Sequence, residues 1–556
     1  MVMKQKKSHY SVLIIGAGIN GCGTFRDLCL QGVDCILVDR VDVCSGASAA
    51  PSRLIHGGIK YLETSEFRLV RESAMERNRL LNNAPHYVKA LEVVFPAKSW
   101  FAGLQDAVLG YLGFKARIKE RGALLIEIGL RIYDFYNRKV KALPDHRFFG
   151  KAALRENFPA ITKEAVAAGL YYEGRVTHAE RLGLELVLDG LAAQPQSALR
   201  TYTEIEGKPQ NGRFTLKDLV TGEMQDVTAD VVINASGAWI DKVNDNLGIT
   251  SGYMGGSRGA HLIVKHDGLL RATQGRMMYF GCKDGRFNLL YPFFGNVLVG
   301  STDLAQQDPD LAHCSAEETD YLLSVVSEIF PDIKLTRDDV ILTYSGVRPL
   351  PRANGKVIGD VSREHSIGRD VLPQTGIPVL SLIGGKWTTF RAFSEQSCDG
   401  VLSLLGKSRS VSTVDLPIGG GRDYPRDETS RNAMIGKIGK RGAELLDRYG
   451  TKALAVQDFA ANTQDRPLLS LPGYSSGEIA YICAHENVRH LADLLLRRTA
   501  ITMEGMLTPN AIQETAEIAA NILGWNKAQT KAEIDHAGTE LAKRSVKNVR
   551  SDAAPR

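Results

Sequence analysis

No two cysteines of this chain have the C-x-x-C spacing of a zinc or iron–sulfur ligand set, although eight are present: Cys22, Cys29, Cys35, Cys44, Cys282, Cys314, Cys398 and Cys483. No metal is therefore expected, and scattered single thiols suit a reduced, cytoplasmic compartment. A run of roughly 18 apolar residues is also missing, so no segment is expected to cross a membrane as a helix. The apolar stretch behind the basic Met1–Lys7 is a strand of five residues, too short for the core of a secretory signal. An excess of one charge sign is missing too. A net +5 over 556 residues excludes nothing by itself, but no concentrated basic block of the kind a nucleic-acid face needs stands outside the tails. The tails, residues 1–7 and 543–556, are basic and short on apolar side chains, so they are expected to fray. What remains, 44% hydrophobic and 24% charged, is ordinary for a globular protein of two to four structural units.

Against that background the first 40 residues are distinctive. Residues 11–15 read as an apolar strand, residues 19–31 as a helix ended by Gly32, and residues 33–38 as a second strand closed by Asp39. Between the first strand and the helix stand Gly16, Gly18 and Gly21 in G-x-G-x-x-G spacing. Each has a mechanical role: Gly16 permits the tight turn, Gly18 lets backbone approach a pyrophosphate, and Gly21 lets the helix pack close to the strand. The helix N-terminus offers N–H groups and partial positive charge to phosphates. Asp39, 23 residues after Gly16, is placed to accept hydrogen bonds from an adenosine ribose. FAD and NAD both contain ADP and both fit so far.

The next segment favours FAD. SGASAAPSRLIHGGIKYLE, residues 45–63, is rich in small and hydroxyl residues and carries His56-Gly57-Gly58 followed by Lys60 and Tyr61. A nicotinamide enzyme would run on into another βα repeat. Two further strands end in glycine turns: residues 231–233 lead into Asn234-Ala235-Ser236-Gly237-Ala238-Trp239, and residues 379–383 into Gly384-Gly385-Lys386-Trp387-Thr388-Thr389. A helix start bearing Gly, Lys and Thr suits the negative N1–C2=O edge of a reduced flavin.

These stretches resemble the FAD-dependent glycerol-3-phosphate dehydrogenase family. The resemblance lies in IIGAGINGCG (14–23), SRLIHGGIKYLETSEFRLVRE (52–72), NASGAW (234–239), GSTD (300–303), TYSGVRPL (343–350), GGKWTTF (384–390) and, near the end, HENVRHLADLLLRRT (485–499). It implies an α/β chain with a glutathione-reductase-like, Rossmann-type FAD domain, an interleaved substrate domain and a helical C-terminal domain. It also implies oxidation of the C2 alcohol of sn-glycerol 3-phosphate to dihydroxyacetone phosphate. Hydride would pass to flavin N5, and electrons to a membrane quinone, or to oxygen in oxidase members. The cofactor set carried over is Gly16, Gly18, Ile19, Asn20, Gly21, Asp39, Arg53, Leu54, His56, Gly57, Gly58, Ala235, Gly237, Trp239, Gly385, Lys386, Thr388 and Thr389. His56, Arg348 and Lys386 are the catalytic candidates, and Lys60, Tyr61, Arg348 and Arg363 the substrate contacts. Arg348 is expected on the substrate phosphate, where its planar fork fits two oxygens. His56 is either a base or a structural hydrogen-bonder to the flavin. Two departures bear on the substrate: Lys60 stands where the family has arginine, and Thr177-His178 where it often has paired aspartates. Another polyol phosphate, such as erythritol phosphate, therefore stays open.

Domain organisation follows. Residues 10–415 are expected to hold the FAD domain, with the substrate part mainly at about 80–225 and 250–345, where alternating runs broken by N-G and D-G pairs predict antiparallel strands. Glycine-rich LPIGGG (416–421) marks a junction, and 420–545 reads as a helical domain without a catalytic cluster. Residues 100–136 combine aromatics at helical spacing with Lys115, Arg117, Lys119 and Arg121, a pattern that can lie in a bilayer interface. The expected location is cytoplasmic, on the inner face of the cell membrane where a quinone acceptor dissolves; a homodimer is left open.

Overall fold

The computed structural model describes residues 7–59, 66–104, 121–137, 142–352 and 364–546. Within them the chain builds two sheets and crosses between them repeatedly. The first contains β1 (His9–Ile15), β2 (Cys35–Val38), β7 (Ala198–Arg200), β8 (Thr203–Ile205), β9 (Arg213–Asp218), β10 (Met224–Asn234), β17 (Ser366–Val371) and β18 (Pro378–Ile383). Its order is β17-β18-β10-β1-β2-β7, parallel from β18 to β7, with the β8–β9 hairpin joined to β10. Both faces of the parallel strands are covered, which is why they read as continuous apolar runs. Helices α1 (Ile19–Leu30), α2 (Phe67–Asn83), α3 (Ala123–Asn137), α4 (Ala179–Ala193) and α5 (Phe390–Leu404), together with the helix Ala316–Ile329, are the long helices described before the C-terminal region. On one face Val12, Ile14, Val231, Ile233 and Leu380 pack against Phe25 and Leu28 of α1, Leu182 of α4 and Phe393 of α5. The other face buries Leu13, Ile36, Val232 and Val379 against Phe214 and Leu216 of the hairpin.

Register decides where a ligand can sit. Ile15 pairs with both Val38 and Asn234, and Asn234 pairs with Ser381. Four carboxyl ends therefore coincide, and Gly16, Asp39, Ala235 and Gly384 leave the sheet along one edge, the usual crevice of an open parallel sheet.

The second sheet contains β3 (Leu54–Ile55), β4 (Val88–Ala97), β5 (Arg147–Gly150), β6 (Ala167–Val176), β11 (Ser257–Val264), β12 (Met277–Gly281), β13 (Phe287–Phe293), β14 (Asn296–Gly300), β15 (Leu304–Ala305) and β16 (Val340–Arg348). It is antiparallel except where β12 meets β4. One expected boundary is corrected. The strands within 198–225 join the first sheet, not the substrate part. The Asn211-Gly212 turn, with φ of 51° and 74°, does make the expected hairpin. Which sheet that hairpin joins is decided by its pairing with β10, invisible to local alternation.

The C-terminal region is helical from Glu428–Ile438 to Lys527–Ala542. Leu471, Ile479, Leu495 and Ile501 share one core with Ile341, Leu342 and Tyr344 of the second sheet. Buried ion pairs tie the same region to the first sheet: Asp42, just after β2, takes Arg497 and Arg498 at 2.7 Å each, and Arg181 of α4 takes Glu486 at 2.7 Å. Among the described residues no helix is long and apolar enough to cross a membrane, and no group of side chains could hold a metal ion.

Candidate active site

A cavity of about 1420 Å³ runs along the carboxyl edge of the first sheet and ends against the second. At its first end Asp39 accepts the Ala17 N–H at 2.7 Å on Oδ2 and the Val41 N–H at 2.8 Å on Oδ1. These bonds hold the carboxylate at the mouth with acceptor capacity to spare. Beside it, Asp310 gathers Arg40 at 2.6 Å, the Trp239 indole N–H at 2.8 Å and Lys242 at 2.8 Å. Burial works against its charge, yet Lys242, Arg40 and Trp239 hold the Asp310 carboxyl well below its usual range.

The middle is made of three loops tied to one another. The Ile19 N–H at the start of α1 donates to Ser48 Oγ at 3.0 Å. Trp387 Nε1 donates to the Ser48 carbonyl at 3.2 Å, and Asn20 Nδ2 to the Gly384 carbonyl at 3.2 Å. The His56 N–H donates to Thr388 Oγ1 at 3.2 Å. Gly16 has φ +105°, and a Cβ on Gly21 would lie 1.9 Å from the Gly16 carbonyl oxygen, so the triplet serves the turn and the helix packing that its spacing predicts. Asn20 Oδ1 is buried without a protein partner at this turn. A glycine-lined cradle at a helix start, closed by hydroxyls and a lysine, fits the phosphates and ring of a flavin dinucleotide.

The far wall is built by strand alternation. Ser257, Gly259 and His261 of β11 stand opposite Arg348, Gly346 and Tyr344 of β16. Arg348 donates to Ser257 Oγ and Asp303 Oδ1 at 3.2 Å each, and to Ser301 Oγ and the Thr302 carbonyl at 3.1 Å each. It lies flat over β11, since a Cβ on Gly259 would come within 2.1 Å of its Nη2. The side chain is 26% exposed and lines the cavity. His261 is stacked on Tyr344 at 5.0 Å with Nε2 2.8 Å from Ser52 Oγ. Burial, then the charges of Arg348 and Arg53, push its pKa down to about 3, so it is neutral beside the arginine. Lys386 lines the same end and reaches Ser73 Oγ of α2 at 3.4 Å.

Of the residues expected from sequence, Gly16, Gly18, Ile19, Asn20, Asp39, Leu54, His56, Ala235, Gly237, Trp239, Arg348, Gly385, Lys386 and Thr388 line this cavity. Gly21, Gly57, Gly58 and Thr389 are not among its lining residues. Arg53 is a correction: it points away into a bidentate pair with Glu180 at 2.6 and 2.9 Å and is only 2% exposed. Thr177 and His178 are another. His178 is buried between Tyr87 and Phe294 ahead of α4, so its departure from the family pattern concerns packing and not the substrate. Arg121, expected on a membrane face, instead lies 4.1 Å over the Phe287 ring and lines the cavity. Lys60, Tyr61, Arg363, Lys115, Arg117 and Lys119 lie outside the described residues. Sequence reading missed Ser52, Glu173, Ser257, His261, Ser301 and Asp303. Ser257 and His261 fall on one face of β11 with Gly259 between them, a signal that means little until that strand is paired with β16.

A parallel dinucleotide-type sheet with its cavity closed by an antiparallel sheet defines a flavin-dependent oxidoreductase. Comparisons with known proteins agree. The FAD dependent oxidoreductase family model matches residues 11–389, and the model for the C-terminal domain of alpha-glycerophosphate oxidase matches 411–530. A glycerol-3-phosphate dehydrogenase of Synechocystis sp. is 32% identical over 550 residues, 94% of this chain and 95% of that one. A D-erythritol 1-phosphate dehydrogenase of Brucella abortus is 29% identical over 501 residues, 88% of this chain and 93% of that one. Among solved structures, the glycerol-3-phosphate dehydrogenase of Bacillus halodurans complexed with FAD shares the fold at a TM-score of 0.74, with 21% identity over 100% of this chain and 97% of that one. The chain belongs to the FAD-dependent glycerol-3-phosphate dehydrogenase family, and FAD is its cofactor.

Proposed function

We propose that this protein oxidises sn-glycerol 3-phosphate to dihydroxyacetone phosphate and passes the electrons to a quinone in the membrane. The observation that carries the substrate reading is Arg348: a fixed, partly exposed guanidinium lining the same cavity as His56 and Lys386. Phosphate is the group such a fork suits, and a neutral His261 leaves that charge undivided. The names of the relatives support the same substrate. Bound FAD supplies the two-electron acceptor. In this arrangement Arg348 holds the phosphate, Lys386 holds the hydroxyl end by charge, and His56 takes the hydroxyl proton.

The acceptor reading rests on the outer face of α3. Leu124, Phe135 and the preceding Trp100 and Phe101 are exposed. Phe101 is 71% and Phe135 65% exposed, unusual for phenylalanine in water. Ile128 and Ile132 of the same helix line the cavity, so in this reading one helix would border both the site and the bilayer. A second substrate reading, erythritol phosphate, is kept by the Brucella relative and by Lys60.

One assay tests both parts. Purified protein should be yellow and reduce a soluble dye with glycerol 3-phosphate, and should reduce a quinone only when the quinone is carried in vesicles. A Phe101→Ser/Phe135→Ser variant is expected to keep the dye rate and lose most of the quinone rate. Colourless protein or a preference for erythritol phosphate overturns the substrate reading, and peroxide in place of quinol overturns the acceptor. A separate check uses the wall itself. Gly259→Ala is expected to lift Arg348 and raise KM about tenfold, the cost of roughly 1.4 kcal/mol of phosphate binding, with FAD content unchanged.

A further inference from the structure

Behind the turn at His56–Gly58 lies a buried polar cluster that the reading above leaves unused. Glu173 of β6 accepts the Gly57 N–H at 2.7 Å and Arg77 Nη1 of α2 at 3.1 Å on Oε2, and the Tyr133 hydroxyl of α3 at 3.1 Å on Oε1. Arg77 also donates to the Tyr133 hydroxyl oxygen. All three side chains are 2% exposed. Gly57 has no room for a side chain, because a Cβ would lie 1.9 Å from the Tyr133 hydroxyl and 2.8 Å from Arg77 Nη1.

Burial pushes the Glu173 carboxyl up, and Arg77 and the Gly57 N–H pull it back. A charged cluster like this is a poor way merely to pack two helices on a strand, since apolar residues of similar volume do that as well or better. What it does hold is one particular peptide. The His56 N–H is gripped by Thr388 from the first sheet's glycine turn, and the next N–H, of Gly57, by Glu173 from the second sheet. Two consecutive N–H groups fixed from opposite sides leave the backbone at His56 little freedom.

We propose that Glu173, held in place by Arg77 and Tyr133, is the positioning residue that orients the 56–57 peptide and thereby aims His56 at the reacting end of the cavity. The proposal rests on the reading of His56 as facing the substrate. Glu173 borders the same cavity, but in this role it acts through Gly57.

Glu173→Gln keeps the size and loses the charge that fixes Arg77. Tyr133→Phe removes one hydroxyl and keeps the carboxylate–guanidinium pair, so it tests the proposal even if the glutamine variant fails to fold. The first readout is hydrogen exchange of the peptide spanning residues 54–58, measured without substrate. The Gly57 amide is expected to exchange at least about tenfold faster in Glu173→Gln, and by a smaller factor in Tyr133→Phe. The second is the kinetic split: kcat is expected to fall about 10- to 100-fold in Glu173→Gln and several-fold in Tyr133→Phe, with KM nearly unchanged because Arg348 is untouched. Unchanged exchange, a raised KM with normal kcat, or loss of FAD at normal exchange overturns the proposal. A wild type that fails to oxidise glycerol 3-phosphate sinks the substrate reading but leaves the exchange result standing.

Discussion

Arg348→Ala is expected to lower kcat/KM for a phosphorylated polyol by about 10²- to 10³-fold, roughly 3–4 kcal/mol of binding lost in both ground and transition states. The size follows from two effects acting together. The alanine removes a charged fork, and it leaves Asp303, now without that counter-charge, facing an incoming phosphate. Because phosphate binding is uniform along the reaction, most of the loss should fall on KM. Arg348→Lys should recover part of it, keeping the charge without the planar pair of donors. Reduction of the flavin by a chemical donor such as dithionite should not change. A variant that binds phosphorylated substrate as well as the wild type would remove Arg348 from the site, and with it the main support for the substrate class.

The largest effect on stability is expected from Asp42→Asn. Asp42 is wholly buried and takes Arg497 Nε and Arg498 Nη1 at 2.7 Å, with Arg498 Nη2 on its other oxygen at 2.8 Å. Removing its charge leaves two buried guanidinium groups short of a counter-charge, with Asp493 still on Arg497, and costs about 3–5 kcal/mol. In a chain of this size that lowers the thermal transition by about 3–4 °C, read by calorimetry of the holoprotein. Burial alone would raise the Asp42 pKa, but Arg498 and Arg497 outweigh it and hold the carboxyl at about 2, below its ordinary 3.8. A depressed carboxyl contributes its stability above the unfolded value. That contribution is complete above about pH 4 and is lost as pH falls from there toward 2. The variant's deficit relative to wild type should therefore shrink across that window; a constant deficit down to pH 2 would contradict the assignment.

The two variants separate what these ions do. Arg348 is partly exposed and lines the cavity, whereas Arg497 and Arg498 are buried on protein partners and fasten the C-terminal helices to the turn after β2. From sequence the three arginines look alike. HENVRHLADLLLRRT reads as an amphipathic helix with a basic end, and TYSGVRPL as a strand with one charge near its end. Only the partner carboxylates tell them apart, and those lie 455 residues away for Arg497 but 45 residues away for Arg348.

The same distinction runs through the cavity. Gly16, Gly18 and Asp39 were legible because a phosphate-binding turn is local: strand, turn, helix and acid are all close in sequence and their spacing is set by backbone geometry. His56, Arg348 and Lys386 were legible through their surrounding motifs. His261, Ser257 and Asp303 were not, because each acquires meaning only from the strand opposite. Arg53 misled for the same reason: it sits inside a telling motif, yet Glu180 claims it.

The amino-acid sequence by itself therefore determined the parallel dinucleotide-type core, which depends on periodicity and short spacings along the chain, while the resemblance of its motifs to a known family brought in FAD and the candidate charged groups of the site. The tertiary structure alone decided which sheet the residue 198–225 strands joined, which arginine faced the cavity and which was spent on structure, and how Glu173 came to stand behind Gly57. Those outcomes depend on pairing between segments tens to hundreds of residues apart, and there the winning partner is set by register and burial, which no local pattern encodes.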